Sequence, residues 1–316
     1  MSVSANSDTQ ARKELSVLLP THDNVCVELV SELQRQAALV PGLHYEILVA
    51  DDGSTDKDSI LANRAINALP QCRLIERDHN VGRAAIRNFL AREARYARLL
   101  FVDSDLRVCS GTFLKNYLQT AGQVVVGGVR IGGDPRIWGR NLRYRYEKAC
   151  ERQHDARHRN MGHSQEFRTT NFFIGKDVSQ QCPFDEDFRH YGYEDVLMGK
   201  AIAAKGIRIT HTDNPVLLDD YEDNRLFMDK TEEACRTLYQ FRRRLAGYSK
   251  LICWQERLAG CPGLYSMVAR ASRLLCPVIR RHLVRGRPSV SLFNAYKLLY
   301  YIRLCTEDEA QAHYAD

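Results

Sequence analysis

With 316 residues, 44% of them apolar and 27% charged, the chain suffices for one large or two modest globular domains and is too apolar to be a disordered protein. It has no run approaching the ~18 apolar residues of a membrane-spanning helix, and its polar start, MSVSANSDTQAR, lacks the apolar core of a signal peptide, so residues 1–13 read as disordered. The net charge of +6 hides a division: residues 236–305 carry fourteen Lys and Arg against one acid, Glu256, a net of +13 that leaves −7 for the rest.

LSVLL (15–19) reads as a strand closed by Pro20 and followed by Thr21-His22-Asp23. Residues 24–39 read as a helix, with Val25, Leu29, Leu33 and Val40 on one face. YEILVA (45–50) is a second strand, ending in Asp51-Asp52-Gly53-Ser54. A helix over 57–69, the short strand RLIE (73–76) and a helix over 81–96 lead to RLLFV (98–102), which runs into Asp103-Ser104-Asp105. QVVVGGV (123–129) is a further strand; Trp138, in the loop beyond it, is either packing or a platform for a sugar face. Glu194-Asp195 opens a helix carrying Val196, Leu197, Ala201 and Ile202, and IRIT (207–210) is a strand followed by His211. Residues 231–305 read as helices. Over 264–284 the residues Met267, Val268, Ala271, Leu274, Leu275, Val278 and Ile279 fall on one side and Arg270, Arg273, Arg280 and Arg281 on the other, with Pro277 expected to kink or break the helix.

Strands alternating with helices imply an α/β fold with a mostly parallel sheet, and near-continuous apolar strands imply helices on both of its faces. In such sheets ligands bind beyond the carboxyl ends of the strands. Three strands end there in polar residues, at Thr21-His22-Asp23, Asp51-Asp52 and Asp103-Ser104-Asp105. One acidic turn is explained by a helix cap; three at equivalent positions point to a site. If strand geometry lasts through Asp105, Asp103 and Asp105 share a face, and two carboxylates that close call for a cation such as a phosphate-bound divalent metal. PTHDN after the first strand replaces the glycines of a dinucleotide fold, and no P-loop is present. The ten cysteines form no C-x-x-C and read as reduced cytosolic thiols, neither a disulfide framework nor a zinc cage.

LSVLLPTHD, ILVADDGSTD, HNVGRAAIRN and LLFVDSD, in that order, resemble family 2 glycosyltransferases of the GT-A fold over roughly residues 14–215. FDEDFRHYGYEDVLMGKAI resembles the acceptor-side segment of that family and of the related galactosyltransferase-type domain, which points to galactose or N-acetylgalactosamine. The resemblance implies an inverting enzyme that moves a sugar from a UDP-sugar to a glycan or lipid-linked acceptor with Mn²⁺ or Mg²⁺. It places Thr21, Asp51 and Asp52 at the uracil, Arg83 near the nucleotide, Asp103 and Ser104 at the ribose side of the D-x-D motif, and Asp105 on the metal. Asp195 becomes the general base and Glu194 an acceptor contact. His211 is either a further metal ligand, although imidazole suits Mn²⁺ less well than oxygen does, or a plain strand-end histidine.

The expected organisation is a catalytic domain over 14–225, basic helices over 226–306 and an acidic tail over 307–316, in a cytoplasmic protein. The basic helices are either a solvated face or a peripheral attachment to an anionic membrane surface; nothing beyond their charge speaks for nucleic acid. The alternative to an enzyme is a catalytically inactive GT-A-like module that binds lipid or nucleic acid through those helices.

Overall fold

A computed structural model describes residues 13–161 and 167–313, which form two compact units. The first comprises the chain up to Gly132 with Glu151–Arg189 and Glu194–Asp219; the second comprises Gly133–Cys150, His190–Tyr193 and the chain from Asp220. The second unit is thus discontinuous in sequence. All but the last residue of the segment expected to be disordered, 1–13, and the last three residues of the acidic tail lie outside the described residues.

The strands of the first unit are, in chain order, β1 (Glu14–Thr21), β2 (His44–Asp51), β3 (Cys72–Glu76), β4 (Arg98–Val102), β5 (Arg107–Val108), β6 (Val124–Val126), β7 (Val129–Ile131), β8 (Asn171–Gly175), β9 (Ile209–His211) and β10 (Val216–Leu218). Seven form a mostly parallel sheet in the order β3-β2-β1-β4-β8-β6-β9, in which β8 alone runs antiparallel to its neighbours β4 and β6. A small second sheet has the order β5-β10-β7. The helices Val27–Ala38, Lys57–Asn63, Arg83–Glu93, Phe113–Gln119, Lys176–Gln181 and Glu194–Ala204 belong to this unit.

Successive strand residues face opposite sides of a sheet. Leu15, Val17, Leu18 and Leu19 of β1 are all fully buried, so both faces are covered. Each such side chain contributes about 1.5–3 kcal/mol relative to an exposed one. Phe101 of β4 and Phe172 of β8 are directly paired and stack with ring centroids 4.8 Å apart. The apolar run over 123–129 is two strands, not one. Gly127-Gly128 breaks it: a Cβ on Gly127 would lie 2.0 Å from Asn171 Oδ1, and Gly128 has φ +92°. The chain thereby leaves the large sheet at Val126 and enters the small one at Val129.

The second unit holds the helices Pro135–Trp138, Leu142–Cys150, Asn224–Gln240, Lys250–Ala259, Pro262–Arg285 and Val290–His313. Its core gathers Leu142, Met228, Cys235, Cys276, Leu283, Phe293, Tyr296 and Tyr300. Glu232 accepts from Arg280 Nε at 2.7 Å and from the Tyr296 hydroxyl at 2.6 Å. Trp138 packs edge-on against Tyr221, centroids 5.1 Å apart. The helix Pro262–Arg285 is not broken at Pro277. Proline removes the bond to the carbonyl four residues back; that carbonyl belongs to Arg273, and both residues are exposed, so water can replace the bond. Among the described residues no helix is long and apolar enough to cross a membrane.

Candidate functional site

The chain runs β1-β2-β3 outward, then returns to place β4 on the other side of β1. This reversal opens a crevice at the carboxyl ends of β1 and β4. Thr21 and Asp51 pair in register there, and Asp103 follows β4 directly.

The loop after β1 is held by its neighbours. Asp23, at φ +47°, accepts from the backbone N–H of Thr55 (2.6 Å) and Asp56 (2.8 Å), and its own N–H donates to Ser54 Oγ at 2.7 Å. Those amides and the nearby His22 hold the Asp23 carboxyl below the usual range. Thr21 Oγ1 and Asn63 Nδ2 both donate to Asn24 O, and Asn24 Nδ2 donates to Ser104 O at 2.9 Å, which joins the first loop to the D-x-D turn. Asp51 accepts from Ser54 N–H at 2.8 Å. Asp52 receives the N–H groups of Val81 and Gly82, one on each carboxylate oxygen and both at 3.0 Å. Burial nonetheless raises its pKa above the ordinary value. Gly53, between these aspartates and the turn, has φ +66°, and a Cβ there would lie 2.4 Å from the His79 backbone.

Asp103 and Asp105 do not share a strand face. β4 ends at Val102, and although Asp103 N–H still donates to Thr170 O at 3.0 Å, Ser104 and Asp105 form a turn. Asp103 points inward, and its side chain is 17% exposed; Asp105 is exposed to solvent.

Asp103 meets Arg87, a residue of HNVGRAAIRN for which no role was expected. Arg87 is 2% exposed; its Nη2 donates to Asp103 at 2.7 Å and its Nη1 to Glu194 at 3.4 Å, while its Nε has no partner. It lies three residues after Ala84 and four before Ala91, both buried, so it occupies the inward face of the helix Arg83–Glu93. A basic residue at a core register was the available signal. Arg83, the first residue of that helix, is exposed, and its charge acts on Asp103.

Glu194 and Asp195 open the helix Glu194–Ala204 and diverge in environment. Glu194 is 5% exposed and faces Arg87. Asp195 is half-buried; burial first, then the neighbouring Glu194 charge, push its carboxyl up to about 6, against the pull of Val196 N–H at 2.7 Å and of Arg168 and Arg87. Two carboxyls whose environments set them apart are the arrangement in which one ionises as a base near neutrality while the other keeps a fixed partner.

His211, at the end of β9, is 6% exposed, and burial with the charges of Arg159 and Arg168 pushes its pKa down to about 4. Arg159 Nη1 lies 2.7 Å from Nδ1. A guanidinium only donates, so Nδ1 accepts and the proton of the neutral ring sits on Nε2, a buried atom with no partner. In that tautomer Nε2 offers a metal no lone pair.

Among the described residues no three His, Cys, Asp or Glu are gathered closely enough to hold a metal ion unaided. The carboxylates suit a cation that completes its shell otherwise: Mg²⁺ and Mn²⁺ prefer oxygen, and such ions are commonly held by one or two carboxylates plus substrate phosphates. Asp105, exposed beside the crevice, fits that role.

The sequence model of the family described as Glycosyl transferase family 2 matches residues 16–180, just over half of the chain, and stops short of the 184–202 segment. Among curated proteins, none matches. Solved structures share the fold at low identity. The mannosyltransferase PcManGT from Pyrobaculum calidifontis, in complex with GDP-Man and Mn²⁺, is 15% identical with a TM-score of 0.55, over 91% of this chain and 84% of that one. S. aureus TarS 1–349 in complex with UDP-GlcNAc is 18% identical with a TM-score of 0.50, over 95% and 92%. Glucosyl-3-phosphoglycerate synthase from Mycobacterium tuberculosis, with Mn²⁺, UDP and phosphoglyceric acid, is 19% identical with a TM-score of 0.50, over 79% and 84%.

Proposed function

The chain belongs to glycosyl transferase family 2, and from that premise we propose that it is a metal-dependent, inverting hexosyltransferase that uses a UDP-sugar. The acceptor is a hydroxyl of a glycan or lipid-linked saccharide, and the acceptor-side resemblance of 184–202 favours galactose or N-acetylgalactosamine as the sugar moved. One observation carries the reading: a buried arginine ties Asp103, at the strand end where the nucleotide would bind, to Glu194 beside the candidate base. A single guanidinium thereby fixes donor-side and acceptor-side carboxylates relative to each other.

In this reading Thr21, Asp51 and Asp52 shape the uracil pocket. Asp52 keeps lone pairs for the ring N–H after receiving two backbone amides. Arg83, Asp103 and Ser104 flank the ribose and diphosphate. Asp105 holds the Mn²⁺ or Mg²⁺, which when bound supplies Lewis-acid stabilisation of the departing diphosphate. His211 joins that shell only by exchanging its contact with Arg159. Asp195 takes the proton of the acceptor hydroxyl while the oxygen attacks the anomeric carbon opposite the leaving group, and inversion follows. Glu194, held by Arg87, contacts the acceptor. A base with its pKa near 6 is ionised at neutral pH yet still basic enough to accept the proton. The inactive-module alternative has no observation in its favour.

The test is thermal stabilisation by UDP and by GDP, each with and without Mn²⁺. Ligand at a hundred times its dissociation constant stabilises by about 2.7 kcal/mol. UDP with Mn²⁺ should raise the melting point more than GDP with Mn²⁺ or UDP alone; no response to either nucleotide would remove the reading.

A further inference from the structure

The helix Pro262–Arg285 has two apolar faces, one packed inward and one turned outward. Its inward face is made of Ala269, Ser272, Cys276 and Leu283, each between 0 and 8% exposed. Its outward face carries Leu264 (45% exposed), Met267 (61%), Leu274 (77%), Leu275 (45%) and Val278 (66%). At ~100° per residue these five lie within an arc of about 100°, and from Leu264 to Val278 the stripe extends ~21 Å. Arg270, Arg273 and Arg281, all exposed, border it on one side. The helix contains no acid. Arg280 stands apart from that border, because it is engaged by Asp229 and by Glu232.

We propose that this outward face docks the protein onto an anionic phospholipid membrane surface. A face left for solvent would be polar, and exposed apolar stripes of this extent mark interaction sites. An apolar stripe edged with arginine is the composition of a helix that lies in the lipid interface, with leucines in the acyl boundary and guanidinium groups at the headgroups. The charge selects the occupant. A second copy of this chain would set the same arginines against each other, whereas anionic headgroups meet a block of net charge +13. Nucleic acid would answer the arginines and leave the leucines without a use. On the helix Lys250–Ala259, Trp254 is 54% exposed, with the Arg257 guanidinium 5.4 Å from its ring centre, a pairing suited to the membrane–water boundary. The proposal concerns where the protein sits and does not depend on the reaction it catalyses.

Flotation of the full chain with vesicles tests it, using phosphatidylcholine alone and phosphatidylcholine mixed with phosphatidylglycerol. Wild type should float only with the mixed vesicles and should be released by high salt. Two variants separate the contributions: Met267→Ser, Leu274→Ser and Val278→Ser together, and Arg270→Glu, Arg273→Glu and Arg281→Glu together. All six positions are exposed, and unchanged thermal melting certifies the fold of each variant. Each set should weaken binding at least about tenfold. Wild type that stays in solution, or that floats equally with phosphatidylcholine alone, overturns the proposal. So does a folded serine variant that binds like wild type, and so does a solution dimer that Leu274→Ser dissociates, which would give the face to a second copy.

Discussion

Replacing Arg87 with methionine keeps an unbranched side chain of similar reach and deletes the charge that Asp103 and Glu194 share. Arg87 is 2% exposed, the Glu194 side chain 6% and that of Asp103 17%. Removing one partner of a buried ion pair costs about 3–5 kcal/mol, because the other charge is left uncompensated. Asp103 can recover part of that from water; Glu194 cannot. In a unit of this size each kcal/mol moves the melting midpoint by about 2–4 °C, so Arg87→Met should melt at least ~6 °C lower. The loss should also depend on pH. Burial holds the Asp103 carboxyl above its ordinary value and the Arg87 charge opposes that rise; without the cation it rises further, so the native state of the variant binds the proton more readily than the unfolded chain does. The deficit against wild type is then full above the raised native pKa and shrinks as pH falls through it. Urea titrations at about pH 8 and about pH 5 read this directly, with the larger loss expected at pH 8. Arg87→Lys, which keeps a charge and loses the fork, should fall between. A methionine variant within about 1 kcal/mol of wild type, or equally destabilised at both pH values, would refute the role given to the guanidinium.

Asp195→Asn removes the base at constant size: kcat should drop roughly 10²–10⁴-fold while UDP affinity is retained, as measured by initial rates and calorimetry. For wild type, kcat/KM should rise through an apparent pKa near 6 as Asp195 ionises, and Asp195→Asn should lose that limb. The same raised carboxyl makes a stability contribution with a definite sign: native Asp195 holds its proton to a higher pH than the unfolded chain, so its contribution declines as pH rises from about 4 towards 6. Asp105→Ala, at an exposed turn position, should leave the stability within about 0.5 kcal/mol of wild type and abolish the Mn²⁺ dependence of UDP binding.

The central strands were legible because strands buried on both faces are continuous apolar runs. The expected 15–19, 45–50, 73–76 and 98–102 lie within β1, β2, β3 and β4, each short of the observed bounds by no more than two residues at either end. The antiparallel β8 (NFFIG) and the two- and three-residue strands of the small sheet were not, since so few residues establish no period. The acidic strand ends were legible as a group, but whether strand geometry lasts through Asp105 was not; the chain turns at Ser104-Asp105 and sends the two D-x-D carboxylates in different directions. Arg87 showed in the sequence only as a basic residue at a core register; its role needs its carboxylate partners, 16 and 107 residues away, to be placed. Which apolar face of Pro262–Arg285 packs inward was not legible, for a different reason. Its inward face uses Ala269, Ser272 and Cys276, small residues that let helices approach closely and that rank below leucine and methionine in any hydrophobic pattern.

The most direct test of the account is release of nucleoside diphosphate from a panel of nucleotide sugars by the purified chain with Mn²⁺, alongside Asp105→Ala and Asp195→Asn. The assignment of Asp105 to the metal and Asp195 to the proton requires slow turnover of UDP-sugars, UDP-galactose or UDP-N-acetylgalactosamine foremost, that chelation and Asp105→Ala abolish and Asp195→Asn severely slows. Turnover that survives chelation, or that is unchanged in both variants, would contradict it.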